Sequence, residues 1–281
     1  MEIIDEIIHA THINQIIDMT DFEVDCRRLV KQIHPDICKD PRAHEAFVKF
    51  QELKSSYEEG FKYLDDNGQV IIKDNTITLK GDMDRIMFSS AMGNNLIKYG
   101  SKNFVNSYLP LQINGPVIYT NGNFTVLLDI TLPEEHVRWI LNRLLEFASY
   151  MEKNGLVHAG LNLESCIFNP ITHGLNVISF YHTRPIGSKL TTLSAKYKRF
   201  YPARTFHSKI ADTAIDIALA KGIACTLLGD SSGRGIKLKG KVSEPLLNFI
   251  FTNHDSAYVA MTDYKEMLKN NYESKFYTLK L

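Results

Sequence analysis

The sequence predicts an α+β protein with two unequal domains, a small all-α domain and then a larger one that starts with β-strands and continues mainly as helices. Three observations lead to this. Residues 21–64 repeat apolar side chains at helical spacing, residues 70–129 change to short β-rich pieces, and residues 131–281 return to helical spacing. The length of 281 residues fits two unequal domains.

The composition is that of a globular protein with a real core, since 44% of the residues are hydrophobic and 23% are charged. The most apolar stretch, residues 210–228, contains Asp212, Asp216 and Lys221, so it does not predict a membrane span. The first residues lack the order of a secretory signal, and we expect a cytoplasmic protein. The four cysteines stand far apart, which gives no metal-site pattern.

The head is predicted as a helical hairpin. Its helical spacing is broken at Pro35 and again at Asp40-Pro41, and Asp65-Asp66-Asn67-Gly68 has the composition of a boundary turn. An earlier short helix is predicted around residues 12–18. The head is acidic, because residues 1–64 hold 8 Lys and Arg against 13 Asp and Glu, whereas the remainder holds 24 against 19.

The next layer is mostly β. Strands are predicted at 70–73, 76–79, 117–120 and 124–129, with Asn114-Gly115 and Asn121-Gly122 as tight turns beside the last two. A helix is predicted within this layer at about 84–99.

The body begins with a long amphipathic helix. Thr131 is predicted to cap it, Pro133 lies in its first turn, and Gly155 ends it. Two short strands follow at about 165–168 and 175–180. A second, buried helix is predicted at about 210–228, and the last forty residues are predicted to be mainly helical.

A first motif, His34-Pro35-Asp36, stands at the end of the helix that carries the cations Arg27, Arg28 and Lys31. The next helix contains Lys-Phe-Gln-Glu-Leu-Lys-Ser-Ser-Tyr at residues 49–57. Together these segments resemble the J domain of DnaJ-type cochaperones over residues 1–66. Ile37-Cys38 departs from the basic residue and Asn that usually follow in that family.

The resemblance implies a chaperone-binding site. In J domains the basic helix docks on an acidic face of an ATP-bound DnaK-type chaperone, and the His-Pro-Asp loop releases ATP hydrolysis. Three cations at spacings of one, three and four can meet one acidic surface, and proline fixes the backbone of the loop. The site residues are then His34, Pro35, Asp36, Arg27, Arg28 and Lys31.

A second motif runs from His158 through Leu161 and Glu164 to Ile167. It resembles the catalytic loop of protein kinases, His-Arg-Asp-Leu-Lys-Pro-Glu-Asn followed by an aliphatic strand. The resemblance covers residues 68–281, with 68–130 as a reduced small lobe and 131–281 as a mainly helical large lobe of a bilobal domain.

The resemblance places three residues where kinases carry their polar catalysts. Gly160 stands for the catalytic Asp, while Ser165 and Ser179 stand for the two magnesium ligands. We therefore expect a catalytically inactive domain, a pseudokinase, with no cofactor and no bound metal. Lys80 is the only lysine placed at all like the nucleotide-binding one, and a surface position is favoured for it.

Structural positions of the kinase pattern are retained. The resemblance implies that Asp216 binds the backbone of the His158 loop. Arg204 replaces the Glu that ends the activation segment, and the Arg that normally pairs with it is missing around residues 255–262. Loss of both partners would avoid an orphaned charge.

Residues 182–211 are basic and contain no Asp or Glu before Asp212. Aromatic residues interleave with the cations, so a nucleic-acid or acidic-protein surface is conceivable, although a solvated loop is favoured. The cations are Arg184, Lys189, Lys196, Lys198, Arg199, Arg204 and Lys209.

The sequence thus predicts a non-enzymatic J-domain cochaperone that stimulates a DnaK-type chaperone, with a kinase-like domain that binds an unidentified client or partner. Nucleic acid is a possible but not favoured partner, and no membrane is expected. Two alternatives remain open. One is a weak or unorthodox protein kinase, and the other is a basic nucleic-acid-binding protein that recruits a chaperone through its J domain.

Overall fold

The structure is a computed structural model that describes residues 2–10, 13–18, 21–122, 124–172, 174–273, 275 and 279. The chain divides into two compact units. The first consists of Met1–Lys62 with Ile71–Asp74, and the second of Tyr63–Val70 with Asn75–Leu281. The mixture of helices and strands is the predicted one.

The described part of the first unit up to Glu59 is helical, with α1 at Glu2–His9, α2 at Phe22–Ile33 and α3 at Ala43–Glu59. Both predicted hairpin helices are present. The helix predicted around 12–18 is only a short 3-10 helix at Ile13–Gln15, and residue 12 lies outside the described residues. α1 was not predicted, although its isoleucines at 3, 4, 7 and 8 have helical spacing.

The core of the first unit follows from that spacing. α2 buries Cys26, Leu29 and Ile33, and α3 buries Phe50 and Leu53 toward the same cluster. α3 packs against both α1 and α2. Gly60 ends α3 with φ of 81°, a left-handed conformation that side chains with a Cβ rarely adopt. A hydrophobic core therefore sets how the loop between α2 and α3 is presented.

A five-stranded sheet has the order β1-β2-β3-β5-β4. Its strands are β1 Phe61–Leu64, β2 Gly68–Lys73, β3 Thr76–Gly81, β4 Gln112–Asn114 and β5 Val117–Tyr119. The hairpin predicted at Asn114-Gly115 joins β4 to β5, and Gly115 has the positive φ of 56° that this turn needs. β1 was not predicted and begins before the predicted domain boundary.

The strand predicted at 124–129 does not form. Only Thr125 makes a β-bridge, with Phe168, and Asp129 has a left-handed φ of 56° that breaks an extended chain. Two helices accompany the sheet, α4 at Met83–Tyr99, close to the predicted bounds, and α5 at Lys102–Tyr108.

The remaining helices are α6 Glu134–Lys153, α7 Ala203–Ser208, α8 Ala214–Leu227, α9 Glu244–Phe251 and α10 Ala257–Asn271. α6 packs on α8 and α10 through its predicted apolar stripe. Thr131 is not its cap, because Pro133 takes that position and the Leu132 N–H donates to the Leu227 carbonyl instead. None of the described helices is both long and apolar enough to cross a membrane.

Four short strands complete the second unit. β6 Leu156–Val157 pairs with β9 Arg184–Pro185, and β7 Cys166–Asn169 pairs with β8 Gly174–Val177, all antiparallel. β7 and β8 match the strands predicted near 165 and 175. These two ladders hold the chain on either side of residues 158–165, and so they position the segment that the sequence singled out.

Candidate functional site

The loop between α2 and α3 presents His34, Pro35 and Asp36. His34 is half-buried, its ring meets Phe47 edge-on at 5.2 Å, and its Nδ1 accepts a hydrogen bond of 3.3 Å from the Asp36 N–H. The Asp36 side chain is 87% exposed. One member of the motif is thus packed against α3, and the carboxylate is offered to solvent.

The cations Arg27, Arg28 and Lys31 are all exposed on α2. Arg28 forms an ion pair of 2.9 Å with Asp25, and the Arg27 Nε donates to the Glu23 carbonyl. Both contacts lie within one helix at the surface, where such pairs contribute about 0–1 kcal/mol. The guanidinium groups therefore remain accessible to an acidic partner.

In the second unit, Asp216 of α8 holds the segment after β6. Its two carboxylate oxygens accept hydrogen bonds of 2.7 Å from the backbone N–H groups of His158 and Ala159. Tyr201 adds a third restraint, since its hydroxyl donates to the Ala159 carbonyl at 2.7 Å. Ala159 has a positive φ of 56°, which these contacts hold in place.

Burial acts strongly on two groups here. It raises the pKa of Asp216 to about 7, against the lowering effect of the two N–H donors. It lowers the pKa of His158 to about 3. His158 is also held as one neutral tautomer, because its Nε2 donates to the Ser179 carbonyl at 2.7 Å while its Nδ1 accepts from the Gly160 N–H at 3.3 Å.

Ser165 and Ser179 have hydrogen-bond partners within the protein. The Ser165 hydroxyl donates toward the Gly160 carbonyl at 3.2 Å and accepts from the Asn162 N–H at 3.0 Å. The Ser179 hydroxyl accepts from the Asn67 amide at 2.9 Å. The Ser165 hydroxyl thus braces the loop and the Ser179 hydroxyl binds the β1–β2 turn, and neither is a carboxylate or amide oxygen of the kind magnesium prefers. Among the described residues, no three His, Cys, Asp or Glu side chains form a metal-ligand group.

Gly160 leaves room for the side chain of His182. A Cβ at this position would lie 2.5 Å from Cδ2 of His182, so the imidazole fills the space that a side chain at 160 would need. The His182 Nε2 is 3.1 Å from Oδ2 of Asp66, and its Nδ1 is 2.9 Å from Oγ1 of Thr192. A carboxylate, an imidazole and a hydroxyl therefore form a chain beside Gly160.

This group could not be predicted from the sequence, because Asp66 and His182 are separated by 116 positions. Asp66 belongs to the turn between β1 and β2, and its side chain is 24% exposed. Although burial raises its pKa, the hydrogen bond from His182 and the positive charge of Arg85 outweigh that effect and hold the pKa below its usual range. The carboxylate is therefore ionised at neutral pH.

The basic segment 182–211 is largely engaged within the chain. Lys196 pairs with the buried Glu164, which also accepts from the Tyr197 hydroxyl. Arg199 donates to the Ser231 carbonyl at 2.6 Å. Lys189, Lys198 and Lys209 are exposed, and Arg184 is half-buried. Lys80 is also exposed, on β3.

The expectation for Arg204 needs correction. Its guanidinium is 2.8 Å from the Asp255 carboxylate and 3.2 Å from that of Asp212. An arginine is missing from residues 255–262, but an aspartate stands there in its place. The contact is therefore an ion pair with reversed charges rather than a lost one.

No protein-family model and no curated protein matches this chain. Among solved structures it is similar to the kinase PK-1 of the Cydia pomonella granulovirus, with 15% identity and a TM-score of 0.46, over 81% of this chain and 98% of that one. The expectation that the protein is not an enzyme is corrected by this likeness, because the similar structure is that of a protein kinase. The J-domain interpretation of residues 1–66 stays a prediction.

Proposed function

We propose that this protein is a cochaperone whose first unit acts as a J domain, stimulating the ATPase of a DnaK-type chaperone, while its second unit binds the client or partner. The observation that carries the proposal is the placement of His34-Pro35-Asp36. The motif lies between α2 and α3, directly after a helix with three exposed cations.

The physics of this surface suits a transient partner. Exposed cations raise the rate of encounter with an acidic surface more than they raise affinity, and salt screens them over a distance of about 8–10 Å. The 87% exposed Asp36 side chain can then reach a polar group on the partner. The packing of the His34 ring on Phe47 anchors the loop to α3.

The test is the steady-state ATPase rate of a DnaK-type chaperone with the intact protein added. The wild-type chain should raise the rate, and His34→Gln should abolish the increase. His44→Gln is the matched control, because His44 is exposed on α3 outside the motif. Equal stimulation by wild type and His34→Gln would refute the J-domain assignment.

A second experiment tests whether the first unit recruits the chaperone while the second unit binds the client. Affinity capture from the native cell with the full chain should recover both the chaperone and a client, whereas His34→Gln should keep the client and lose the chaperone. Capture of nucleic acid that falls steeply with salt would instead favour a basic nucleic-acid-binding protein.

A further inference from the structure

We propose that an acidic segment of the client docks in a cavity of the second unit and places one carboxylate beside the ammonium group of Lys221. The proposal deepens the function proposed above and rests on it in one respect, namely that the second unit binds the client. The cavity has a volume of about 560 Å³ and lies between α7, α8, α9 and the residues that follow α9. A space of this size can admit part of a peptide chain.

Lys221 is a buried cation on the wall of the cavity. It belongs to α8 and is only 7% exposed. Its Nζ donates to the Thr252 carbonyl at 2.6 Å and to Nδ1 of His254 at 2.9 Å, and it lies 4.5 Å from the centroid of the Phe249 ring. An ammonium group has three N–H donors, so one of them is left without a hydrogen-bond acceptor among the described residues.

No described carboxylate forms an ion pair with this ammonium group. Nε2 of His254 is 3.4 Å from the Asp263 carboxylate, which accepts its proton, so the Nδ1 that faces Lys221 carries a lone pair and the ring is neutral. Burial lowers the pKa of Lys221 only to about 8, so the ammonium group is still charged at neutral pH. A buried charge without a counter-ion is costly, and a carboxylate supplied by a ligand would reduce that cost.

The rest of the cavity wall suits a peptide. Its apolar part includes Phe200, Ile217 and Ile250. Asp255 is the only acid among the described residues of the wall, and its carboxylate is 2.8 Å from the guanidinium of Arg204, which neutralises it. The wall therefore offers apolar surface to the stems of side chains and no uncompensated negative charge to repel an acid.

A basic loop, residues 231–241, begins at the cavity. Gly233 is part of the cavity wall, and a Cβ at Gly235 would lie 2.4 Å from the ring of Phe251, which is also part of the wall. The loop contains no Asp or Glu. It carries four cations, all exposed and none in an ion pair with a described carboxylate, and these are Arg234, Lys237, Lys239 and Lys241.

Contacts at both ends of the basic loop fix its path. Arg199 donates to the Ser231 carbonyl at 2.6 Å, and the side chain of Leu238 is completely buried. The loop therefore needs little ordering before its cations meet an extended acidic segment, and a preorganised surface of complementary charge favours association.

An acidic peptide suits this site better than a nucleic acid does. A carboxylate at the end of a flexible side chain can enter the cavity and reach Nζ of Lys221. Nucleic acids are instead held by positively charged grooves that follow a phosphate backbone along the surface. The position of the unpaired donor inside a cavity therefore selects the peptide.

The experiment measures binding to the full-length chain by fluorescence anisotropy, with a labelled peptide of alternating Glu and Asp. A peptide of the same length with alternating Gln and Asn is the control and should not bind. Lys221→Met should weaken binding of the acidic peptide about tenfold or more, because it removes the charge and keeps an unbranched side chain. The matched variant Lys102→Met, at an exposed site on α5, should bind like wild type.

The basic loop is tested by charge reversal. Lys237→Glu combined with Lys239→Glu should weaken binding of the acidic peptide and reduce its dependence on salt. Lys98→Glu combined with Lys102→Glu reverses two exposed charges outside the cavity wall and the loop, and it should leave the affinity unchanged.

NMR locates the peptide and keeps the test valid if a variant fails to fold. In the wild type, the methyl signals of Ile217 and Ile250 should shift when the acidic peptide is added, whereas those of the exposed Ile171, outside the cavity wall, should not. Unshifted signals of the two wall residues would overturn the proposal. Unchanged affinity in a folded Lys221→Met would do the same.

Two further results would also overturn the proposal. One is equal binding of the acidic and the neutral peptide. The other is a single-stranded oligonucleotide that binds more tightly than the acidic peptide and shifts the same methyl signals. If the acidic peptide does not bind but the chain still stimulates the chaperone through His34, this client site is wrong and the J-domain assignment stands. Binding of the peptide without stimulation would support the site and refute the J-domain assignment.

Discussion

Replacing His158 by glutamine should change how the stability of the second unit depends on pH. The His158 side chain is buried among Phe147 and Phe180, and both ring nitrogens have backbone partners that fit only the neutral form. Protonation would place an N–H on Nδ1 against the N–H of Gly160. Glutamine can supply one donor and one acceptor, but it cannot take up a proton.

The magnitude follows from linkage. The pKa of His158 falls from 6.5 in the unfolded chain to about 3 in the folded protein, so the folded state binds fewer protons. Stability is then present above about pH 6.5 and is lost as the pH falls below it. Between pH 7 and pH 5 the loss from this group is about 2 kcal/mol.

Asp216 acts in the opposite sense. Its pKa is raised from 3.8 to about 7, so the folded state binds more protons and gains stability as the pH falls through that window. The two effects oppose each other in the wild type, which should therefore show little net change between pH 7 and pH 5. The difference between wild type and His158→Gln isolates the histidine.

The assay is urea unfolding followed by fluorescence of Trp139, the single tryptophan, which lies in α6 of the second unit. The stability of His158→Gln relative to wild type should improve by about 2 kcal/mol from pH 7 to pH 5. His207→Gln, at an exposed site, should show no such trend. An identical difference at both pH values would refute the reasoning.

Three further outcomes are expected. Asp216→Ala should destabilise the second unit by about 1–3 kcal/mol for each of the two backbone donors it leaves buried, measured by the same unfolding assay. A neutral result would contradict the two hydrogen bonds that Asp216 accepts from His158 and Ala159. Gly160→Ala should cost about 1–3 kcal/mol and disturb the NMR signals of His182, because the added Cβ overlaps the ring; unchanged signals would contradict the packing. Charge reversal of the three α2 cations, Arg27, Arg28 and Lys31, should slow association with the chaperone, and in stopped-flow binding the slowing should shrink at high salt. A change confined to the dissociation rate would argue against a surface that steers the encounter.

Helices with a continuous apolar stripe could be predicted from the sequence, because the stripe depends only on the spacing of residues within the helix itself. α6 buries its predicted stripe, and its bounds came out within a few residues. α8 is instead buried on nearly all sides, and its apolar composition predicted it as a buried helix. The cap of α6 could not be predicted, since Thr131 competes with a backbone pairing between Leu132 and Leu227. Residues 124–129 have the composition of a strand, yet they form only one β-bridge, between Thr125 and Phe168, because no neighbouring strand continues the pairing.

The candidate site divides along the same line. His34-Pro35-Asp36 is one unbroken stretch of sequence, and so is the loop at His158. The residues of each could therefore be named from the sequence. The hydrogen-bonded chain of Asp66, His182 and Thr192 could not, because its carboxylate comes from the β1–β2 turn and its imidazole from the segment after β8. The available signals were an acidic turn at Asp65-Asp66 and a histidine at the start of a basic segment. Neither signal specifies a partner.

Gly160 shows why a residue's identity is an incomplete guide to a site. From the sequence, glycine in place of an acid means that a functional group has been removed. In the structure the absence of a side chain is what admits the His182 ring, and that ring reaches a carboxylate at Asp66. An acid and a base can thus stand beside the loop without either belonging to it, since side chains from distant elements fill the space that the glycine leaves. The space beside Gly160 is therefore filled by His182, which Asp66 holds in place. A substitution at any one of these three residues should change the environment of the other two.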